Sequence, residues 1–311
     1  MTYTFLGPAG TFCESALLTL PDAVREERVP STSVDTALAA VRSGEFEAAM
    51  VPIENSVEGG VSATLDAIAT GDALQIIAEA VIPVTFQLVA REGITSLDQV
   101  RTISTHSHAW AQCRGWAEKT IPGVEFLPAS STAAGAMGLL DAECGYDAAL
   151  CNPLAAELTG LDVLAEGVED HAGAVTRFVL VRKPGKIPAA TGSDKSTVVI
   201  TPTVDHPGGL RELLDQFATR GVNLTRIESR PTGTSLGQYF FSMDLEGHLG
   251  EPRIADALAG AHRIAADVRF LGSYPSATPL SSPVPVHASA EAYAAAGEWI
   301  RRLKHVASGE A

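Results

Sequence analysis

Short apolar runs alternate with amphipathic stretches over the first 183 residues. Thr2–Leu6 alternates apolar and polar positions and predicts a strand. A Gly-Pro-Ala-Gly turn follows, and Thr11–Leu20 has helical spacing. Ser33–Ser43 predicts a helix, with Ser33 as its N-cap and Gly44 past its end. Glu47–Pro52 predicts a short buried strand, Val61–Thr70 a helix, and Leu74–Pro83 with Thr85–Arg91 a strand pair. Arg101–Thr105 feeds a helix over His108–Thr120, and Val124–Pro128 feeds one over Thr132–Asp141. Asp147–Cys151 feeds a helix over Pro153–Leu158, with proline in its first turn. Ala174–Arg182 is the return strand. Strands alternating with helices predict a parallel α/β architecture.

Pro184–Asp194 is small, polar and rich in breakers, and reads as a linker. Beyond it the strands Ser196–Val204, Leu224–Arg230, Gln238–Leu245 and Val268–Tyr274 enclose helices over Gly209–Arg220 and Pro252–Ala266. That βαββαβ order predicts a ferredoxin-like sandwich. The Pro/Ser-rich stretch after Pro275 leads to an Ala-rich amphipathic segment, Ala288–His305. It either packs on a neighbouring subunit or stays loose. A chain of 311 residues has room for both domains.

The net charge of −15 argues against nucleic acid or an anionic membrane as partner, since both need a basic face. It also repels anionic substrates, so an anion site must be built locally from an Arg and helix N-termini. Met1–Gly7 lacks a basic-then-apolar leader and no apolar run reaches membrane-spanning length, so a cytoplasmic protein is expected. Cys13, Cys113, Cys144 and Cys151 match no metal or redox spacing and read as reduced, small hydrophobes.

Several polar groups fall at strand ends. Thr176 and Arg177 open the buried strand, where a charge needs a partner or an anion. Arg177 therefore either binds an anionic small molecule or pairs with a carboxylate. Glu54, Asn55 and Ser56 follow the strand Glu47–Val51, at the end where α/β sheets bind ligands. Thr105–His108 and Ser130–Thr132 are similarly placed, though each also reads as a helix cap. Gln112 lies one turn further into the helix. Gly7–Phe12 joins the first strand to the first helix with glycines that admit a ligand.

Gly-Pro-Ala-Gly-Thr-Phe (7–12), Pro-Ile-Glu-Asn-Ser (52–56), Thr-Arg-Phe (176–178) and Glu-Ser-Arg-Pro (228–231) occur in this order. The chain closely resembles the prephenate dehydratase family with its C-terminal ACT domain, over residues 1 to about 275. The resemblance implies a catalytic region at 1–183 with two lobes, about 1–75 plus 160–183, and 76–159. The lobes would be arranged like type II periplasmic binding proteins, with the active site between them. A linker at 184–195, an ACT domain at 196–275 and a tail at 276–311 would follow. The implied activity is a carbon–oxygen lyase converting prephenate to phenylpyruvate, water and carbon dioxide without metal or organic cofactor. L-phenylalanine would inhibit by binding at an ACT interface of a homodimer or homotetramer.

Carried over residue by residue, Thr176 is the catalytic threonine, with Asn55 and Gln112 beside it. Arg177, Phe178, Glu54, Ser56, Thr105, His106, Gly10 and Thr11 are expected to bind substrate. His206, Gly208, Gly209, Leu210, Asn223, Leu224, Glu228 and Ser229 are expected to bind phenylalanine. The family's Ser-His-Pro-Gln appears as Thr105-His106-Ser107-His108, a departure at two positions. Expelling a hydroxyl while losing carbon dioxide aromatises the ring, and a donor at the departing oxygen supplies typically ~10²–10⁴-fold. Thr176 is expected to be that donor. Arogenate dehydration and a non-catalytic two-lobed amino-acid sensor are the alternatives. A fused mutase domain is not expected.

Overall fold

Buried apolar runs form the strands, and capped amphipathic segments form the helices. The computed structural model describes residues 2–204, 206–233, 237–280 and 282–308. It divides into two units, residues 1–67 with 80–183, and residues 68–79 with 184–311.

In chain order the first part holds β1 (Thr2–Leu6), α1 (Phe12–Leu18), β2 (Glu27–Ser31), α2 (Val34–Ser43), β3 (Ala48–Asn55), β4 (Gly59–Gly60), α3 (Ser62–Ala69) and β5 (Gln75–Pro83). There follow β6 (Gln87–Ala90), β7 (Thr102–Thr105), α4 (Ser107–Thr120), β8 (Glu125–Pro128), α5 (Thr132–Gly138), β9 (Ala148–Cys151), α6 (Pro153–Thr159), β10 (Asp162–Glu166) and β11 (Val175–Arg182). One sheet has the order β2-β1-β3-β11-β5, with β4 on β3, and the other β10-β6-β9-β7-β8. The chain crosses between sheets at residues 84–86 and 167–174, so β5 and β6 belong to different sheets rather than forming a pair. Returning through the second crossing, β11 enters antiparallel to β3, which makes the sheet mixed rather than all-parallel. In the second sheet β6 is antiparallel to β9 for the same reason. Ser33 caps α2 by accepting from Thr36 N–H at 3.0 Å, and Gly44 ends it at φ +87°.

The second unit contains β12 (Asp194–Pro202), α7 (Gly209–Ala218), β13 (Leu224–Pro231), β14 (Tyr239–Glu246), α8 (Pro252–Ile264), β15 (Ala265–Pro275) and α9 (Ala290–Ser308). Its sheet order is β13-β14-β12-β15, with antiparallel pairings throughout. The βαββαβ order and this arrangement make a ferredoxin-like sandwich. Val198, Ile200, Leu213, Phe217, Met243 and Ile254 form part of its core under α7 and α8.

Residues 68–79 join this unit because they are bound to it. Lys195 Nζ donates to Glu79 Oε1 at 2.9 Å, with side chains 7% and 0% exposed. Arg269 donates to the carbonyl of Gly71 at 2.9 Å. A Cβ on Gly272, at φ +130°, would lie 2.3 Å from the Ile76 carbonyl oxygen, so only glycine fits there. On α9, Trp299, Ile300, Leu303 and Val306 remain exposed. Among the described residues no helix is long and apolar enough to cross a membrane.

Candidate active site

A cavity of about 380 Å³ opens in the first unit. Its wall is drawn from the first sheet, from the starts of α4 and α5 beyond the second sheet's strands, and from the first crossing, where Val84 and Phe86 line it. Thr176 and Asn55 are at its heart, and a one-residue irregularity puts them there. Along the β3–β11 ladder Thr176 faces Asn55, Arg177 faces Glu54, and Phe178 faces Pro52, so Ile53 is the extra residue of a bulge. The bulge shifts the phase of β3, so Pro52 and Asn55 share the face of Thr176 and Phe178. Without it, two-residue alternation from Pro52 would present Glu54 to the cavity instead.

Hydrogen bonds fix the Asn55 amide. Its Oδ1 accepts from Val57 N–H at 2.8 Å and Glu58 N–H at 3.1 Å. Its Nδ2 must therefore be the group 2.8 Å from Thr176 Oγ1, and it donates there. With that lone pair engaged, the Thr176 hydroxyl keeps its own proton for an acceptor in the cavity.

Three helices start at the cavity wall. Their N-cap residues Thr11 (α1), His106 (α4) and Ser131 (α5) all line it. First-turn N–H groups of a helix have no intrahelical acceptor and favour anions. Among the lining residues there is no Lys or Arg. Anion attraction in this acidic chain thus falls to backbone N–H groups, hydroxyls and imidazoles. His106 Nδ1 accepts from His108 N–H at 3.3 Å, which puts the neutral ring's proton on Nε2. Burial, and then the charge of His108, hold His106 below the usual imidazole value, while Glu58 opposes them. Burial pushes the Cys13 thiol well up, so this lining residue stays protonated.

Of the residues expected from sequence, the structure gathers Thr176, Asn55, Gln112, Phe178, His106 and Thr11 at the cavity. Five others do not line it. Arg177 is on the opposite face of β11 from Thr176, with its side chain 8% exposed and Nη1 3.5 Å from Glu54 Oε2. Of its two alternatives, the structure has the pairing with a carboxylate, and Glu54 is accounted for by the same contact. Ser56 Oγ accepts from Val175 N–H, extending the ladder. Thr105 is fully buried and donates to the Leu150 carbonyl at 2.7 Å. Gly10 N–H donates to Glu14 at 2.7 Å, and a Cβ there would meet Ala155 Cα at 3.2 Å. Val84, Phe86, Thr32, Glu58 and His108 line the cavity beyond the expected set. Chain order gave no sign of the first four, whereas His108 stands in a motif already singled out.

In the second unit a cavity of about 300 Å³ lies beside the β12–α7 turn. His206 and Gly209 line it with Ile200, Leu213, Ile264 and Glu212. Gly208 is the N-cap of α7, and Leu210 is exposed in its first turn. Leu224, Glu228 and Ser229 lie on edge strand β13, with Asn223 just before it, and none of these four lines that cavity. Among the described residues no group of three or more His, Cys, Asp or Glu is arranged to hold a metal ion.

The family described as prephenate dehydratase matches residues 3–186, and the ACT domain family matches residues 198–263. A prephenate dehydratase of Amycolatopsis methanolica is 44% identical over 301 residues, covering 96% of this chain and 97% of its own. A crystal structure of prephenate dehydratase from Arthrobacter aurescens in complex with L-Phe is 57% identical, with a TM-score of 0.91, covering 97% of this chain and 99% of that one. A protein described as a novel type of quorum-quenching acylase, GqqA, is 31% identical with a TM-score of 0.76, covering 89% and 98%.

Proposed function

The chain belongs to the prephenate dehydratase family, and from that premise we propose that it converts prephenate to phenylpyruvate, water and carbon dioxide under feedback control by L-phenylalanine. The observation that carries the reading is the Asn55–Thr176 contact on the cavity wall. The Thr176 hydroxyl donates to the departing ring hydroxyl. The electron pair of the ring–carboxylate bond moves into the ring as carbon dioxide leaves, and the ring's C–O bond breaks. The departing oxygen takes a proton through Thr176, which solvent replenishes, and leaves as water. Aromatisation drives the step, and the protein's task is to hold the two carboxylates and to assist the leaving oxygen.

First-turn N–H groups of α1, α4 and α5 suit the carboxylates, and Phe178 and Phe86 offer apolar contact to the ring. Gln112 and the His106 Nε2–H are further donors on the wall. Arg177 acts on this site by fixing Glu54 behind the strand, not by touching substrate.

Phenylalanine binding is assigned to the β12–α7 turn, where Glu212 suits the ammonium and Ile200, Leu213 and Ile264 suit the ring. The Arthrobacter aurescens relative is described in complex with L-Phe, which supports phenylalanine as the effector. Asn223, Leu224, Glu228 and Ser229 would reach the effector from a second copy, since β13 is at an edge of its sheet and sheet edges are sites of association. The protein is accordingly a homo-oligomer, working in the cytoplasm.

The test is phenylpyruvate formation by pure protein, with and without phenylalanine. Thr176→Ser retains much of the activity, while Thr176→Val loses about 10²-fold or more in kcat at unchanged thermal stability. Normal turnover by Thr176→Val overturns the assignment. The GqqA likeness adds a second assay: hydrolysis of an acylated amine without phenylpyruvate formation would mean the fold serves other chemistry here.

A further inference from the structure

Among the residues lining the catalytic cavity there is one carboxylate, that of Glu58, and it is engaged. His108 Nδ1 lies 2.7 Å from Glu58 Oε2. The two side chains come from different segments of the chain, Glu58 from the turn between β3 and β4 and His108 from the first turn of α4. An ionised carboxylate only accepts, so the ring carries a proton on Nδ1 and donates it. The N-terminus of the 14-residue α4 adds positive potential beside the same oxygen. His106, whose ring is 5.0 Å from that of His108, has its Nδ1 occupied by the His108 N–H.

This pairing has two consequences in a cavity whose wall holds no Lys or Arg. An unpaired Glu58 would repel both carboxylates of a dianion. It would also supply the counter-charge that an ammonium group needs. Prephenate and its amino-acid counterpart arogenate differ in this respect: one carries a side-chain ketone, the other an ammonium on the same carbon. We propose that the Glu58–His108 pair selects the substrate, keeping Glu58 occupied so that the cavity takes the 2-oxo acid in preference to the 2-amino acid. The inference rests on the prephenate dehydratase reading above.

Both side chains are partly exposed, 62% for His108 and 43% for Glu58, so neither substitution opens the core. The experiment measures kcat and KM for prephenate and arogenate in the whole chain and in three variants. Phenylpyruvate formation by the unaltered chain tests the parent reading separately. His108→Leu raises KM for prephenate about fivefold, the size of one lost hydrogen bond to the carboxylate, with little change in kcat. It also raises the arogenate-to-prephenate ratio of kcat/KM by a similar factor. Glu58→Gln lowers that ratio. The double variant brings the prephenate KM back towards its original value, because the carboxylate that His108 had masked is gone. A His108→Leu enzyme with an unaltered substrate ratio, or a double variant as impaired as His108→Leu alone, overturns the proposal.

Discussion

Replacing Asn55 by Asp alters one group and reverses one hydrogen bond. In the native site Oδ1 accepts from the N–H groups of Val57 and Glu58, and Nδ2 donates to Thr176 Oγ1 at 2.8 Å. An aspartate keeps the first two bonds, since they need only an acceptor. It cannot donate to Thr176, so the threonine must turn its own proton onto the carboxylate. The hydroxyl then has nothing to give to the departing oxygen. General acid assistance of this kind is worth ~10²–10⁴-fold, and kcat is expected to fall by about 10²-fold or more. The added charge also repels a dianion and raises KM, so the informative quantity is kcat at saturating prephenate, not kcat/KM. Thermal stability should hold, because the turn retains both backbone bonds. Phenylpyruvate formation is the assay. An Asn55→Asp enzyme with native kcat and a raised KM would show that the Thr176 proton is not what moves the oxygen.

Three further outcomes follow from contacts described above. Arg177→Lys loses the guanidinium fork on the far side of β11 and should cost about 1–3 kcal/mol in denaturant unfolding, with KM for prephenate unchanged. A raised KM at unchanged stability would return the guanidinium to the substrate. Gly10→Ala forces a side chain into φ +82° against Ala155 and should destabilise by about 1 kcal/mol or more, read as a lower unfolding midpoint. His106 has a folded value below its ordinary 6.5, so near that pH the unfolded chain binds more protons than the folded one. Its contribution is present above 6.5 and lost as pH falls through the folded value. Unfolding free energies at several pH values should therefore fall less steeply on acidification in His106→Gln, and identical slopes would refute the assignment.

Strands that are apolar throughout were legible in the sequence, and two polar edge strands were not. Ala148–Cys151 is buried at every position and stands out as a run. Glu27–Ser31 holds a glutamate, an arginine and a proline, and Asp162–Glu166 is acidic at both ends. Both are edge strands, where charge and proline guard against association, so hydropathy hides them. The bulge at Ile53 has no local signature, yet it decides that Asn55 rather than Glu54 faces the cavity. For Arg177 the sequence left a carboxylate pairing and an anion site open, and strand alternation bears on that choice. Neighbours along a strand point to opposite faces, so Thr176 in the cavity already puts Arg177 outside it. The pairing of Glu58 with His108 joins residues 50 apart in sequence, and no local pattern announces it.

The seam between the two units does not coincide with the linker in the chain, and this limits how the molecule can be dissected. A cut near residue 183 would follow the linker and separate the two halves of the chain there. Such a cut would take Lys195 from Glu79, and would part Ile76 from the Gly272 strand that approaches it. Leu74 and Ile76, now 2% and 1% exposed, lie in the same orphaned stretch, and the fragment would be inclined to aggregate. An enzyme deaf to its effector is better sought by single substitutions at the cavity beside the β12–α7 turn than with scissors.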